Sequence, residues 1–351
     1  MKTLLSVPPA LSTLAPAGIA DFLTHDPPDR KLGSGGGTAH LLHQAWRAEA
    51  DALRFADWLA AEPRILLHAG GQSRRLPAYA PGGKALLPVP VFRWSTGQRL
   101  DQTLLDLQKP LLSELLERAP ASMRTLVASG DVLVWNDEPL PPIPEVDVLC
   151  VGLWDDAETA SHHGVFFTPR AQPDRVEFMR QKPSPGEILS LAADHLFLLD
   201  VGIWLFSDRA VDLLMRKCGW NGERFPGGTP DAFDLYTTFG EALGRRPTAP
   251  DPEISALTFA VLPLQQGEFY HFGTSRDLVT SALALQNRVH DPRRIRSALM
   301  KPHPSLFVQN ADTGRPLCAE SRDIWIENSE LSPHWTLSER HVLTGIPANT
   351  W

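Results

Sequence analysis

Residues 65–77 read Ile65-Leu66-Leu67-His68-Ala69-Gly70-Gly71-Gln72-Ser73-Arg74-Arg75-Leu76-Pro77. The apolar run suits a short buried strand over 64–68 and is too brief for a helix. It runs straight into two glycines, where bare backbone can approach a ligand and offer N–H groups. Arg74, Arg75 and Lys84 follow within fourteen residues of Gly70. Amides that cradle and cations that neutralise suit a triphosphate. A tight turn with a solvated basic patch would also carry glycines, but strand, glycines and cations together favour phosphate binding. The spacing is neither the P-loop G-x-x-x-x-G-K-[ST] nor the dinucleotide fingerprint G-x-G-x-x-G.

Around this stretch, strand and helix patterns alternate. Strands are expected at 125–128, 146–154, 196–206 and 254–264, with a hairpin over 164–180. Helices are expected at 39–62, 101–118, 207–219, 234–243 and 275–289, Pro110 marking a kink or boundary in the second. That alternation implies an α/β fold, a sheet with helices on both faces. Residues 1–31 are Pro-rich and aperiodic and read as an N-terminal arm; residues 32–303 form the main domain. From 304 to 351 the period changes. Trp325, Leu331, Leu337 and Leu343 stand six residues apart, three of them followed by the small residues Ser332, Ser338 and Thr344. A hexapeptide period marks the start of a parallel β-helix. Such a coil cannot bury its own end, so it is expected to dock on the first domain or to continue into a longer protein.

The chain has 351 residues and a formal net charge of −8, with no block of Lys or Arg. A basic stripe for nucleic acid is absent. The run 196–206 contains Asp200 and is too short to span a bilayer, so no membrane partner is expected. Cys150, Cys218 and Cys318 are odd in number and far apart. This fits a reducing cytoplasm rather than a disulfide framework or a C-x-x-C zinc site.

Two further places carry chemistry. Asp131 follows Ser129-Gly130 at the expected carboxyl end of a buried strand, where α/β sheets bind ligands. It can cap a turn, or hold Mg²⁺ against a triphosphate, and beside the phosphate loop the metal role is favoured. Gly33-Ser34-Gly35-Gly36-Gly37-Thr38 precedes a helix; it is either a flexible linker or an anion site at a helix N-terminus. His162-His163 reads as a solvated loop, because adjacent side chains diverge.

Residues 69–76 and Lys84 resemble the signature loop of sugar-1-phosphate nucleotidyltransferases, roughly A-G-G-x-G-T-R-L then P-K. Ser73 stands for a usual glycine and Arg74 for a usual threonine, a departure shared with molybdopterin guanylyltransferases. The runs 33–38, 68–77, 88–93 and 129–132 together resemble the GDP-fucose pyrophosphorylase part of the bifunctional fucokinase/GDP-fucose pyrophosphorylase family. The resemblance implies a Rossmann-like, glycosyltransferase-A-like nucleotidyltransferase sheet leading into a left-handed β-helix. It implies transfer of a guanylyl group from GTP to L-fucose 1-phosphate, with Mg²⁺ as cofactor. It also implies a sugar kinase half lying C-terminal to the β-helical stretch and absent from this chain.

Carried over residue by residue, Gly70, Gly71, Gln72, Ser73, Arg74, Arg75 and Gly130 would meet the nucleotide, as would Gly35 and Gly36. Lys84 would stabilise charge at the α-phosphate, and Asp131 would hold the metal. Lys182, before Pro183, resembles the (V/E)-K-P element and would fix the sugar phosphate. Asp200 and Gly202 resemble an N-x-G-I element beside the sugar. His271 and Thr274 resemble a D-x-G-T element, with histidine where a second metal-binding aspartate often sits; His271 is therefore expected at the sugar. A guanylyltransferase for another acceptor, or an inactive nucleotide-sugar sensor, are the alternative readings.

Overall fold

A computed structural model describes residues 1–12, 18–28, 30–50, 52–70, 75–80, 82–89, 102–173, 175–287, 306–314, 317 and 320–350. The chain divides into two units, Met1–Gly71 with Gln108–Phe269, and Gln72–Leu107 with Tyr270–Trp351. This division departs from the expected one at 32–303 and 304–351.

The strands of the first unit, in chain order, are β1 (Lys2–Ser6), β2 (Phe22–Thr24), β3 (Arg64–His68), β4 (Thr125–Ser129), β5 (Val132–Trp135) and β6 (Val148–Leu153), then β7 (Gly164–Pro169), β8 (Phe178–Gln181), β9 (His195–Phe206) and β10 (Phe259–Leu264). Its helices are α1 (Gly33–Ala50), α2 (Phe55–Ala61) and most of α3 (Leu104–Arg118), followed by α4 (Ala157–Ala160), α5 (Pro185–Leu191) and α6 (Asp208–Lys217). Pro110 lies inside α3.

The main sheet runs β10-β6-β9-β4-β3-β1-β2, with β7 on β9 and β8 on β7. The four strands β2, β1, β3 and β4 are mutually parallel, while β9 is antiparallel to β4 and β6. The expectation of a mixed α/β sheet holds. Leu4, Leu66, Val127, Trp204 and Phe206 share a core with α1, α2 and α6. The alternate residues Leu5, Leu67, Leu126 and Leu205 are equally buried, so both faces are covered.

The described part of residues 1–31 is not simply a surface arm. β1 lies inside the sheet, paired with β2 and β3, and Leu4 and Leu5 are fully buried. Thr3-Leu4-Leu5 is too short a run to stand out from the prolines that follow it. The expected helix 39–62 is two helices. Trp46 donates through Nε1 to the Leu53 carbonyl at 3.0 Å, turning the chain before α2 and leaving Leu53 exposed.

Arg64 joins α2 to β3. Its guanidinium is 1% exposed and donates to the carbonyls of Trp58, Leu59 and Glu62 at 2.7–3.0 Å, while lying 3.7 Å over the Trp58 ring. It satisfies the carbonyls that every helix end leaves open. Arg64→Met should cost about 3 kcal/mol of stability, since it strands these buried acceptors. Urea unfolding checks this; a loss under about 1 kcal/mol would show that the clamp is dispensable.

In the second unit, β12 (Leu306–Asp312), β13 (Arg322–Glu330) and β14 (Glu339–Thr344) form a parallel sheet, and α7 spans Ser275–Asn287. The strand β11 (Glu268–His271) enters this unit at Tyr270. Leu306 pairs with Ile324 and Ile324 with His341, so successive strands are offset by eighteen and seventeen residues. Leu331, Leu337 and Leu343 gather in one apolar cluster, as their spacing predicts, but with Ile324 and Ile326 rather than Trp325. Trp325 points to the other side of its strand, stacked on Phe307 at 3.8 Å and donating to the Tyr79 hydroxyl at 3.1 Å. The hexad phase slips there because strand alternation puts Ile324 and Ile326 on one face and Trp325 on the other. Ser332 is buried beside the cluster, whereas Ser338 is exposed.

Candidate active site

The parallel strands bring their carboxyl ends to one edge of the first unit's sheet. There β3 gives way to Ala69-Gly70 and β4 to Gly130-Asp131. Gly130 donates its N–H to the His68 carbonyl at 2.9 Å. A Cβ at Gly130 would lie 2.8 Å from that oxygen and 2.9 Å from the Ala69 Cα. Only glycine allows this approach, so Gly130 locks two strand ends together, and its amide is not free for the nucleotide as expected. Gly71, Gln72, Ser73 and Arg74 lie outside the described residues.

Asp131 accepts a 2.6 Å hydrogen bond from the Ser129 hydroxyl. The antiparallel register pairs Ala128 with Ile203, which sets Gly202 beside Ser129. Gly202 has φ +71°, and its Cβ position lies 3.4 Å from Ser129 Cβ and 3.7 Å from the Tyr236 hydroxyl. Asp200, 5% exposed, accepts at Oδ1 from the Gly202 N–H (2.9 Å) and the Trp204 indole N–H (3.0 Å). Its Oδ2 takes no hydrogen bond among the described residues. Burial pushes Asp200 up to about 6. Burial, then the charges of Asp200, Asp131 and Asp234, push the Tyr236 phenol upward as well. Asp131, Asp200, Gly202 and Tyr236 therefore form one polar group. No motif marks Tyr236; it sits in the turn of Leu235–Phe239, which Asp234 caps through the Tyr236 and Thr237 N–H groups.

The Asp200 carboxylate has a consequence for stability. Below about pH 4 the group is protonated both folded and unfolded, and burial costs nothing. Between pH 4 and 6 the unfolded chain ionises first, and the fold loses stability until both forms are charged. That loss is on the order of 3 kcal/mol. Asp200→Asn keeps both accepted hydrogen bonds at Oδ1. It should stabilise the chain at pH 8 and leave it unchanged at pH 4 in urea titrations; an equal effect at both pH values would contradict this.

Lys182 is exposed at the end of β8, with its N–H donating to the His163 carbonyl at 2.9 Å. Its φ is +51°, although it is not glycine and precedes Pro183. Such a backbone costs of order 1–3 kcal/mol and is concentrated at functional sites. Gly164 links this place to Asp200: its Cβ position is 2.9 Å from Gln181 Oε1 and 3.1 Å from Asp200 Cβ.

The first turn of α1 does not present the expected free amides. The N–H groups of Gly35 and Gly36 both donate to the Phe233 carbonyl at 3.0 Å. A Cβ at Gly36 would lie 2.7 Å from the Asp231 carbonyl oxygen. These glycines let α1 pack on residues 231–234, and the segment is helix rather than linker.

In the second unit, four expected residues gather at the start of α7. The Arg75 carbonyl accepts from the Ser275 N–H at 2.9 Å, while its guanidinium carries no ion pair among the described residues. Lys84 Nζ donates to the Gly273 carbonyl at 3.2 Å. His271 pairs through Nδ1 with Asp277 at 3.0 Å, and Thr274 Oγ1 accepts from the Asp277 N–H at 3.1 Å. Burial raises Asp277, but its hydrogen bonds from His271 and Thr274 outweigh that and hold it below the usual carboxylate range.

Comparison with known proteins shows the family. The fucose pyrophosphorylase domain model matches residues 57–239, just over half of the chain and the stretch holding Gly70, Asp131, Lys182 and Asp200. The chain belongs to this family. Within the family, it is 52% identical over 330 residues to an L-fucokinase/L-fucose-1-P guanylyltransferase of Bacteroides fragilis, covering 94% of this chain and 34% of that one. It is 26% identical over 218 residues to a bifunctional fucokinase/GDP-fucose pyrophosphorylase of Arabidopsis thaliana, covering 55% of this chain and 21% of that one. The chain thus spans about a third and a fifth of these relatives. A solved mannose-1-phosphate geranyltransferase of Thermus thermophilus aligns over 99% of this chain and 90% of its own at 15% identity, with a TM-score of only 0.35.

Proposed function

We propose that this chain transfers the guanylyl group of GTP to L-fucose 1-phosphate, releasing pyrophosphate and leaving GDP-L-fucose. The observation that carries this reading is the 52% identity across 94% of the chain to a protein named for that transfer. In the first unit, the Gly70 turn and Asp131 serve the triphosphate, Lys182 the incoming sugar phosphate, and Asp200 with Gly202 the sugar. In the second, Arg75 and Lys84 neutralise phosphate charge, and His271 and Thr274 meet the sugar.

A phosphate oxygen of the sugar phosphate attacks the α-phosphorus in line, forming one P–O bond as the bond to pyrophosphate breaks. A phosphate monoester is already anionic near neutral pH, so no general base is needed. Positioning and charge neutralisation supply most of the acceleration. Lys182, with a strained backbone and an exposed side chain, would hold that anion.

The residues present fit Mg²⁺ held partly by substrate. Among the described residues no three His, Cys, Asp or Glu side chains could enclose a metal alone. Mg²⁺ is satisfied by one or two carboxylates completed by phosphate oxygens and water, and Asp131 offers the carboxylate. When bound, the ion offsets the charge of the triphosphate. His271, tied to Asp277, is assigned to the sugar and not to the metal.

We also read β12–β14 as the first coils of a left-handed β-helix, because the eighteen-residue offset between β12 and β13 is three hexads and that between β13 and β14 falls one residue short of it. The free thiols Cys150 and Cys218 support a reducing, cytoplasmic setting. Among the described residues no helix is long and apolar enough to cross a membrane. The transfer is tested with GTP labelled at the α-phosphorus, L-fucose 1-phosphate and Mg²⁺. The label should leave in the nucleotide sugar; label remaining wholly in GTP would refute the reading.

A further inference from the structure

A cavity of about 980 Å³ lies wholly within the second unit, between α7 and the edge formed by β13 and β14. Its size is that of a small-molecule site. Val279 and Leu283 of α7 and Leu343 of β14 give it apolar walls, and Arg276 and Arg340 line it with two cations.

Neither guanidinium has a hydrogen bond or ion pair among the described residues. Glu339, beside Arg340 in sequence, makes its direct contact with Arg322 at 2.6–2.7 Å and meets Arg340 only through the longer-range attraction of its charge. Arg340 also sits in the left-handed region, φ +62°, across from Asp323 at φ +54°. Elsewhere on the same strands Asn310 and Asn328 also take this backbone, each at φ +46°, and are hydrogen-bonded side chain to side chain at 2.6 Å. Asparagine tolerates that backbone and arginine resists it, so an arginine here is costly for the fold alone. His341, also lining the cavity, has a buried Nε2 with no hydrogen-bond partner.

We propose that this cavity binds a nucleoside-diphosphate sugar as an effector. Two guanidinium groups without a direct hydrogen bond or ion pair among the described residues match a diphosphate. The apolar walls match a base, and the Asp323 carboxylate accepts from sugar hydroxyls. The choice of this class, that of the reaction's own product, rests on the function proposed above. The cavity also touches the catalytic assignments through α7. Arg276 lies between Ser275, which donates to the Arg75 carbonyl, and Asp277, which holds His271. A ligand that grips Arg276 therefore biases the helix end on which Arg75 and His271 rest.

The test is equilibrium dialysis of the full chain with labelled GDP-L-fucose, run beside turnover of GTP and L-fucose 1-phosphate. The wild-type chain should bind two equivalents. Arg276→Ala/Arg340→Ala should bind one, weaken the second site about a hundredfold or more, keep basal turnover and lose the part of product inhibition not competitive with GTP. Arg340→Asn, which suits the left-handed backbone, controls for misfolding and should weaken the same site. A wild-type chain that turns over but binds a single equivalent, or a double variant with unchanged binding, would overturn the effector site alone. A chain that makes no GDP-L-fucose, yet loses probe binding on Arg276→Ala/Arg340→Ala, would overturn the proposed function and leave the cavity's assignment standing.

Discussion

Asp131→Asn should lower the rate of GDP-L-fucose formation by about a thousandfold or more while the chain stays folded. The residue sits at the carboxyl end of β4, locked beside β3 by the Gly130 contact with His68 and Ala69. One oxygen of its carboxylate, Oδ1, holds the Ser129 hydroxyl and so fixes the direction of the group. Asparagine keeps the shape and the accepted hydrogen bond but loses the charge that would hold Mg²⁺. Charge stabilisation of that kind is worth several kcal/mol of barrier, hence the size of the effect. Steady-state kinetics with a melting curve for the same variant checks it. Turnover within tenfold of wild type would reassign Asp131 to capping its turn.

Lys182→Ala should weaken L-fucose 1-phosphate by about ten- to a hundredfold and leave GTP nearly unchanged. A charge-assisted contact to phosphate is worth about 1.5–3 kcal/mol. The left-handed backbone at Lys182, immediately before Pro183, gives a second expected result. Lys182→Gly should lose the same affinity yet gain stability, because glycine adopts that backbone without strain. Substrate KM values and urea midpoints separate the two effects. Equal loss for both substrates would move the lysine to the nucleotide; a less stable glycine variant would show that the strain is not stored there.

Much of the first unit is legible in sequence because its signals are local. A run such as 64–68, apolar and closed by glycine, announces a buried strand. Asp200 is visible because a carboxylate inside an apolar strand demands a reason. What escapes reading depends on partners far along the chain. Gly35 and Gly36 look the same whether they face a phosphate or Phe233, two hundred residues away. Gly130 resembles a nucleotide contact until the His68 carbonyl appears beneath it. β1 is hidden because three ordinary residues before two prolines carry no period, and only pairing with β3 gives them a place. Tyr236 carries no motif, and only the folded chain sets its hydroxyl beside Gly202. In the second unit, the six-residue period finds Leu331, Leu337 and Leu343. It misplaces Trp325, since a slip of one residue exchanges the faces of a strand.

The central claim is most directly tested by pyrophosphate release from the purified chain with Mg²⁺, taking each nucleoside triphosphate in turn against a panel of sugar 1-phosphates. The account predicts that release is fastest for GTP with L-fucose 1-phosphate and falls at least tenfold when either is exchanged. Release that is absent from every pair, or fastest with another nucleotide or sugar, would contradict it.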